Sequence, residues 1–255
     1  MKMKSPFRKY RSALLAATLA LILLAAVAPV SRSASAASPV TELNADVISY
    51  TANTGVITAR GGVRMTQGST VLTGSEGEYN TKTREATVTG NVKIVKDGST
   101  LTAAEVTSLN DMQQFIASGN ARLAHSGGTA SGPSLEYFPA RDYARISGGA
   151  RLSSRDAVIT SSVVEAFIKE DRAVATGNVH VVSDSRKLDA VADQVVYYGL
   201  SGKNSRAELT GNVRAVKDGS VLTGNKVNLY LDESAMDATG RPTLIITPKP
   251  KAVTR

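Results

Sequence analysis

The sequence predicts an all-β protein: a repetitive, open antiparallel β-jellyroll, V-shaped and two-sheeted, with about 29 residues per repeat. Three observations lead there. A glycine recurs at Gly61, Gly90, Gly119, Gly148, Gly177, Gly211 and Gly240, at gaps of 29 residues except for one gap of 34, and a fixed period of this size marks stacked structural units. Around each glycine, apolar and polar residues alternate with period two, as they do in a half-buried strand. After the N-terminal segment no stretch carries helical periodicity.

The chain begins with a targeting segment. Lys2, Lys4, Arg8, Lys9 and Arg11 precede an uncharged apolar run from Ala13 to Val30, and Ala34-Ser35-Ala36 is a small-x-small cleavage site. Residues 1–36 are therefore read as a signal peptide, with an uncleaved membrane anchor as the alternative. The formal charge of +8 includes six cations before residue 37 and no anion there, which leaves +2 for the exported part. A nearly neutral chain loses the electrostatic support for nucleic-acid binding. The absence of cysteine is compatible with an oxidising compartment.

From residue 45 to residue 246 the chain reads as one array. Ala45 to Ala59 forms an incomplete first unit. In each repeat the residues two and four positions after the glycine are apolar: Val63 and Met65, Val92 and Ile94, Ala121 and Leu123, Ala150 and Leu152, Val179 and Val181, Val213 and Ala215. Lys93, Arg122, Arg151, His180 and Arg214 lie between them, on the opposite parity. Parity runs through the glycine, so the glycine is expected to face inward, at a bend in one long strand.

The second half of each repeat reads as another bent strand. Eleven residues after the glycine stand Leu72, Leu101, Ala130, Ile159, Leu188 and Leu222; at thirteen the residue is always small, as at Gly74, Ala103 and Gly132. Beyond that the parity switches, which calls for a bulge or corner. Lys96 to Ser99 and Lys217 to Ser220 read as tight turns, and Tyr79 to Thr83 as a return turn. The five extra residues between Gly177 and Gly211 fall around Ser183–Arg186 or around Gly199–Asn204. Residues 247–255, with Pro248 and Pro250, read as a disordered tail.

Few residues suggest chemistry. His125 and His180 belong to different repeats, and a metal site needs three or four convergent ligands. Gly199 to Lys203 lacks the spacing and the following helix of a phosphate loop, and Asp184, Asp189 and Asp193 read as solvated. No enzyme, metal or cofactor is expected. The interior can be read in two ways: a tightly packed core in which small residues permit close approach, or an apolar slot that admits alkyl chains. The period also suits a parallel β-helix, but an asparagine ladder there would have to point inward, whereas Asn91, Asn120, Asn178 and Asn212 sit on outward parity.

The stretch Thr89-Gly90-Asn91-Val92-Lys93-Ile94-Val95-Lys96-Asp97-Gly98-Ser99-Thr100-Leu101-Thr102-Ala103 resembles the repeat of the OstA-like proteins, as do Thr210 to Gly224 and Arg60 to Gly68. These are periplasmic lipopolysaccharide-transport proteins of the LptA type, linked to organic-solvent tolerance, and the resemblance spans about Asp46 to Leu231. It implies an open β-jellyroll that shields lipid A acyl chains and stacks head-to-tail, with its own kind and with other transport jellyrolls, into a bridge between the inner and outer membranes. The lipid-lining residues would be Val63, Met65, Leu72, Val92, Ile94, Leu101 and Leu123, continued by Leu152, Ile159, Val179, Val181, Leu188, Val213 and Leu222. Val47, Ile48 and Ile245 would form the assembling edges. The remaining alternatives are a structural or adhesive β-solenoid with a dry core and a membrane-anchored paralogue of the same pathway.

Overall fold

A computed structural model describes residues 41–96, 98–109, 113–125, 128–153, 157–199, 206–230 and 235–247. Residues 1–36, expected from the sequence to be a signal peptide, and the tail from residue 248 lie outside the described residues. The strands in chain order are β1 (Thr41–Asn44), β2 (Val47–Thr51), β3 (Val56–Gln67), β4 (Thr70–Asn80), β5 (Glu85–Lys96), β6 (Ser99–Leu109), β7 (Gln114–His125) and β8 (Gly128–Phe138). They continue with β9 (Tyr143–Ser153), β10 (Val158–Phe167), β11 (Arg172–Ser183), β12 (Leu188–Tyr198), β13 (Arg206–Lys217), β14 (Ser220–Tyr230), β15 (Ala235–Thr239) and β16 (Thr243–Ile245). Every long strand pairs antiparallel with its sequence neighbours in one open sheet; β1 and β2 share the edge of β3, and β15 and β16 share the edge of β14. The parallel β-helix is thereby excluded. Purely local hairpin pairing is what the short turns between alternating runs dictate.

Each odd-numbered long strand bends at its glycine. In β5 the register with β6 runs Thr89↔Glu105 and then Val92↔Ala103, so β5 carries one residue more than its partner, which is a β-bulge. Gly90 has φ +80° and Asn91 φ +51°. The same pair of left-handed residues recurs at Gly119-Asn120, Gly177-Asn178 and Gly211-Asn212. Glycine and asparagine are the residues that tolerate this conformation at least cost. Even the atypical last copy keeps it, with Gly240 at +78° and Arg241 at +61°.

This overturns the inward placement of the glycine. A side chain built on Gly90 would run into Ser75, one on Gly119 into Ala104 and one on Gly177 into Ser162, and those three residues are exposed. The glycine therefore faces the outer side of the bend. Unbroken parity counting fails here because two consecutive left-handed residues re-aim the chain while consuming an extra position.

The even-numbered strands bend at the position the parity switch indicates: the register of β4 with β5 shifts between Thr73 and Glu76. The small residue beside that corner is required by packing. A Cβ on Gly74 would lie 2.5 Å from Val88 Cγ1, and one on Gly132 2.5 Å from Ile146 Cγ2. The side chain two residues before the next bend thus occupies the space that the small residue vacates. All strands bend in line, so the sheet folds into two wings. The first wing runs from the bend to the tight turns and the second from the bend to the return turns. Leu123 and Ala130 of the first wing line a common void with Leu135, Ile146 and Val164 of the second, so the wings face each other across one apolar interior.

The five extra residues are divided. Four residues join β11 to β12 where two join β5 to β6, and seven join β12 to β13 where four join β4 to β5. In register terms Ala192, opposite Val179, occupies the small corner position of that repeat, and Ala190 lies opposite Val181. Thr247, the last described residue, is held against the preceding turn by its hydroxyl, which donates to the Gly219 carbonyl at 2.9 Å.

Candidate functional site: the apolar interior

From Val92 onward the lining residues expected from the sequence come together as one layer with a gradient of depth; Val63, Met65 and Leu72 of the first repeat lie outside that cluster. Val92, Val179 and Val213, two residues after the bend, are almost fully buried, and Val63, Leu72, Leu123, Leu188 and Leu222 are buried as well. Ile94, Leu101, Leu152, Ile159 and Val181 lie closer to the turns, are half-buried and pack against the same cluster; Met65 is half-buried too. The interior therefore meets solvent along the free edge of the first wing and is driest at the bend. That gradient follows from wings joined at one end.

The facing layer was only partly legible. Val106, Ala117, Leu135, Ile146, Val164, Leu209, Val227 and Leu229 of the second wing belong to the same cluster. Their signal was the apolar parity before the glycine and after the corner. In the central repeats the void between the wings holds about 10 Å³, roughly the space of one water; toward the C-terminal end a second void of about 200 Å³ opens between Leu188 and Lys217 of the first wing and Leu229 and Met236 of the second. Of the two readings of the small residues, close packing holds at the corner, where the Val88 and Ile146 side chains occupy the space beside Gly74 and Gly132. In the central repeats the interior is filled by its own side chains.

The ends of the stack differ from its middle. Val47, Ile48 and Tyr50 on β2 are exposed at 57%, 48% and 62%, and Leu244, Ile245 and Ile246 at 57%, 60% and 69%. The proposed edge residues are thus large apolar side chains in solvent at both terminal strands, next to backbone edges without a described partner strand. Water-exposed apolar edges of this kind are what strand pairing between chains would cover.

On the outer face of the second wing, Phe138, Tyr143 and Phe167 sit opposite one another on β8, β9 and β10. Arg141 lies 4.1 Å over Phe138 and Arg172 4.1 Å over Phe167. Tyr143 donates its hydroxyl to Glu165. Burial, with that carboxylate adding to it, pushes its phenol up to about 12. Tyr137 points the other way, into the core, where burial and then Asp142 raise its phenol to about 12. Neither tyrosine is poised to ionise near neutral pH. Among the described residues no group of three or more His, Cys, Asp or Glu is placed to hold a metal ion, and no helix is long and apolar enough to cross a membrane.

A folded antiparallel sheet of bent repeats enclosing one apolar layer defines a β-jellyroll repeat protein whose notable feature is its interior rather than a reactive cleft. Residues 72–172 match the family model described as LptA/(LptD N-terminal domain) LPS transport protein. That segment spans the central repeats and is similar to the domain that this family model describes. Among solved structures, the chain is similar to LptH from Pseudomonas aeruginosa, described as the LptA-homologous periplasmic component of the lipopolysaccharide transport device. The identity is 13%, with 82% of this chain and 96% of that chain covered and a TM-score of 0.16. The two do not superpose as wholes. No curated protein sequence matches.

Proposed function

We propose that the chain is an exported, periplasmic, non-enzymatic carrier that shields the acyl chains of lipopolysaccharide between its two wings on the way from the inner to the outer membrane. The observation that carries this reading is the coincidence of the family segment, residues 72–172, with the continuous apolar layer of the central repeats. The mechanism is transfer from water. Each exposed CH₂ costs about 0.8 kcal/mol, so a multiply acylated lipid needs an apolar lining wherever it leaves a bilayer. Val92, Leu123, Val179 and Val213 would form the floor, and Ile94, Leu101, Leu152, Ile159 and Val181 the mouth. In the central repeats the void of about 10 Å³ requires the wings to part as the chains enter. Only side-chain packing has to yield for this, because every strand hydrogen bond runs along the sheet rather than across the interior.

The exposed edges of β2 and β16 supply the assembly step. They are chemically different ends, so pairing is head-to-tail and open, with copies of this chain or with other jellyroll transport proteins. Residues 45–246 would act as the carrier domain and 1–36 as the export signal. A second reading, a structural solenoid with a permanently dry core, is favoured by the small void alone. Mass spectrometry of lipids retained after gentle purification from the native envelope separates the two: the carrier retains lipopolysaccharide, and a preparation free of any acylated lipid refutes it.

A further inference from the structure

We propose that the outer face of the first wing binds a linear acidic polysaccharide along a row of cations that crosses the whole stack. The residue three positions after each of the first six bends is Arg64, Lys93, Arg122, Arg151, His180 or Arg214. Strand register places these side chains in one line. Arg64 faces Thr73, which faces Lys93; Lys93 faces Thr102, which faces Arg122. Arg122 faces Ser131, which faces Arg151, and Arg151 reaches His180 through Thr160. Val191 then links His180 to Arg214. A cation stands on every second strand, roughly 9.6 Å from the next at the usual strand spacing. Thr73, Thr102, Ser131 and Thr160 occupy the strands between as far as His180, and Val191 the strand between His180 and Arg214.

The row contains no carboxylate. Arg64, Lys93, Arg122, Arg151 and Arg214 are exposed and form no ion pair among the described residues; only His180 has an acidic neighbour, Asp189 at 3.2 Å. The corresponding row on the second wing has the opposite character. Glu78, Glu136, Glu165, Glu208 and Asp237 stand in it, with Arg145 as its cation. Carboxylates thus interrupt the row on the second wing, whereas the row on the first wing holds none, and a polyanion is steered to the first wing.

The choice among polyanions follows from what the row lacks and how it runs. Its one aromatic ring is the His180 imidazole, which lies against Asp189, so single-stranded nucleic acid finds no series of stacking platforms. Its one apolar member is the isolated Val191, 39% exposed, which lacks the long apolar reach that seats a protein on a bilayer. Neighbouring strands in a sheet are rotated by about 20–25°, so the row winds and a flexible chain follows it better than a flat membrane does. Hydroxyls beside each cation suit a ligand that carries both acid groups and hydroxyls.

This inference does not rest on the lipid reading, because its probe has no acyl chain. Fluorescence anisotropy of the full chain with a labelled oligogalacturonate should show saturable binding that weakens steeply with salt. The triple variant Lys93→Gln, Arg122→Gln, Arg151→Gln should bind at least 10-fold more weakly with an unchanged melting temperature. A charge-matched control, Arg60→Gln, Arg145→Gln, Lys169→Gln on the second wing, should bind as the parent does. Absence of saturable binding, equal loss in both triples, or equal competition by a neutral galactan would overturn the proposal. Binding of phosphatidylglycerol vesicles through the same three cations, with none of the uronate, would overturn it as well.

Discussion

Replacing Gly211 by valine tests the double left-handed bend directly. Gly211 has φ +75°, a conformation that costs a residue with a Cβ on the order of 1–2 kcal/mol, and a β-branched residue pays at the upper end of that range. The new Cβ would lie 2.8 Å from both Cβ and Cγ of Asp193, so the Asp193 side chain must move. That movement breaks the bond by which Asn212 Nδ2 donates to Asp193 Oδ2 at 2.9 Å, worth about 1 kcal/mol. The expected loss is about 2–4 kcal/mol, or a melting temperature lower by roughly 5–15 °C for a domain of this size. Asn212→Ser keeps the space but gives up an asparagine suited to φ +49° and the same side-chain bond, for about 1 kcal/mol. Paired thermal and urea melts of the two variants give the answer. Equal melting temperatures would refute the left-handed geometry at the bend.

Two further outcomes follow from the core and the edges. Tyr137 has its phenol raised to about 12 from an unfolded value near 10. Its contribution is therefore complete below pH 10 and is lost as the pH climbs through 12. Tyr137→Phe should show a shallower fall in urea-melt stability between pH 9 and pH 11.5 than the parent, and parallel curves would contradict the burial assigned to Tyr137. Ile48 stands on the free edge of β2 and is half exposed, so Ile48→Lys should halt concentration-dependent growth of mass in light scattering without lowering the melting temperature. Unaltered growth would remove this edge from the assembly.

The fold was largely legible because period-two alternation and a fixed repeat survive in every copy, and each hairpin is local. The strand pairs, the tight turns and the inward faces around Val92, Val179 and Val213 all follow from parity. What parity could not carry was the bend itself. Gly90 and Asn91 read as one inward and one outward residue, whereas both are left-handed and the glycine lies against exposed Ser75. The recurring Gly-Asn pair was the available signal, since these are the two residues that adopt positive φ most readily. Likewise the small residue at Gly74 and Gly132 was legible as small, but not as filled by Val88 and Ile146 from the next strand, because that contact depends on where the second wing closes. The cation row was visible residue by residue, yet only the register of the strands turns it into a line. Chemistry in the sense of a reaction had no sequence signal to find.

The central claim is that acyl chains lie between the wings, and in-cell photo-crosslinking reads it most directly. A photoreactive residue at Ile94 or Leu152, half-buried at the mouth of the interior, should capture lipopolysaccharide. The same residue at Glu76 or Glu105, exposed on the outside of the second wing, should capture little. Equal capture at both pairs, or capture from the outer face alone, would contradict the account.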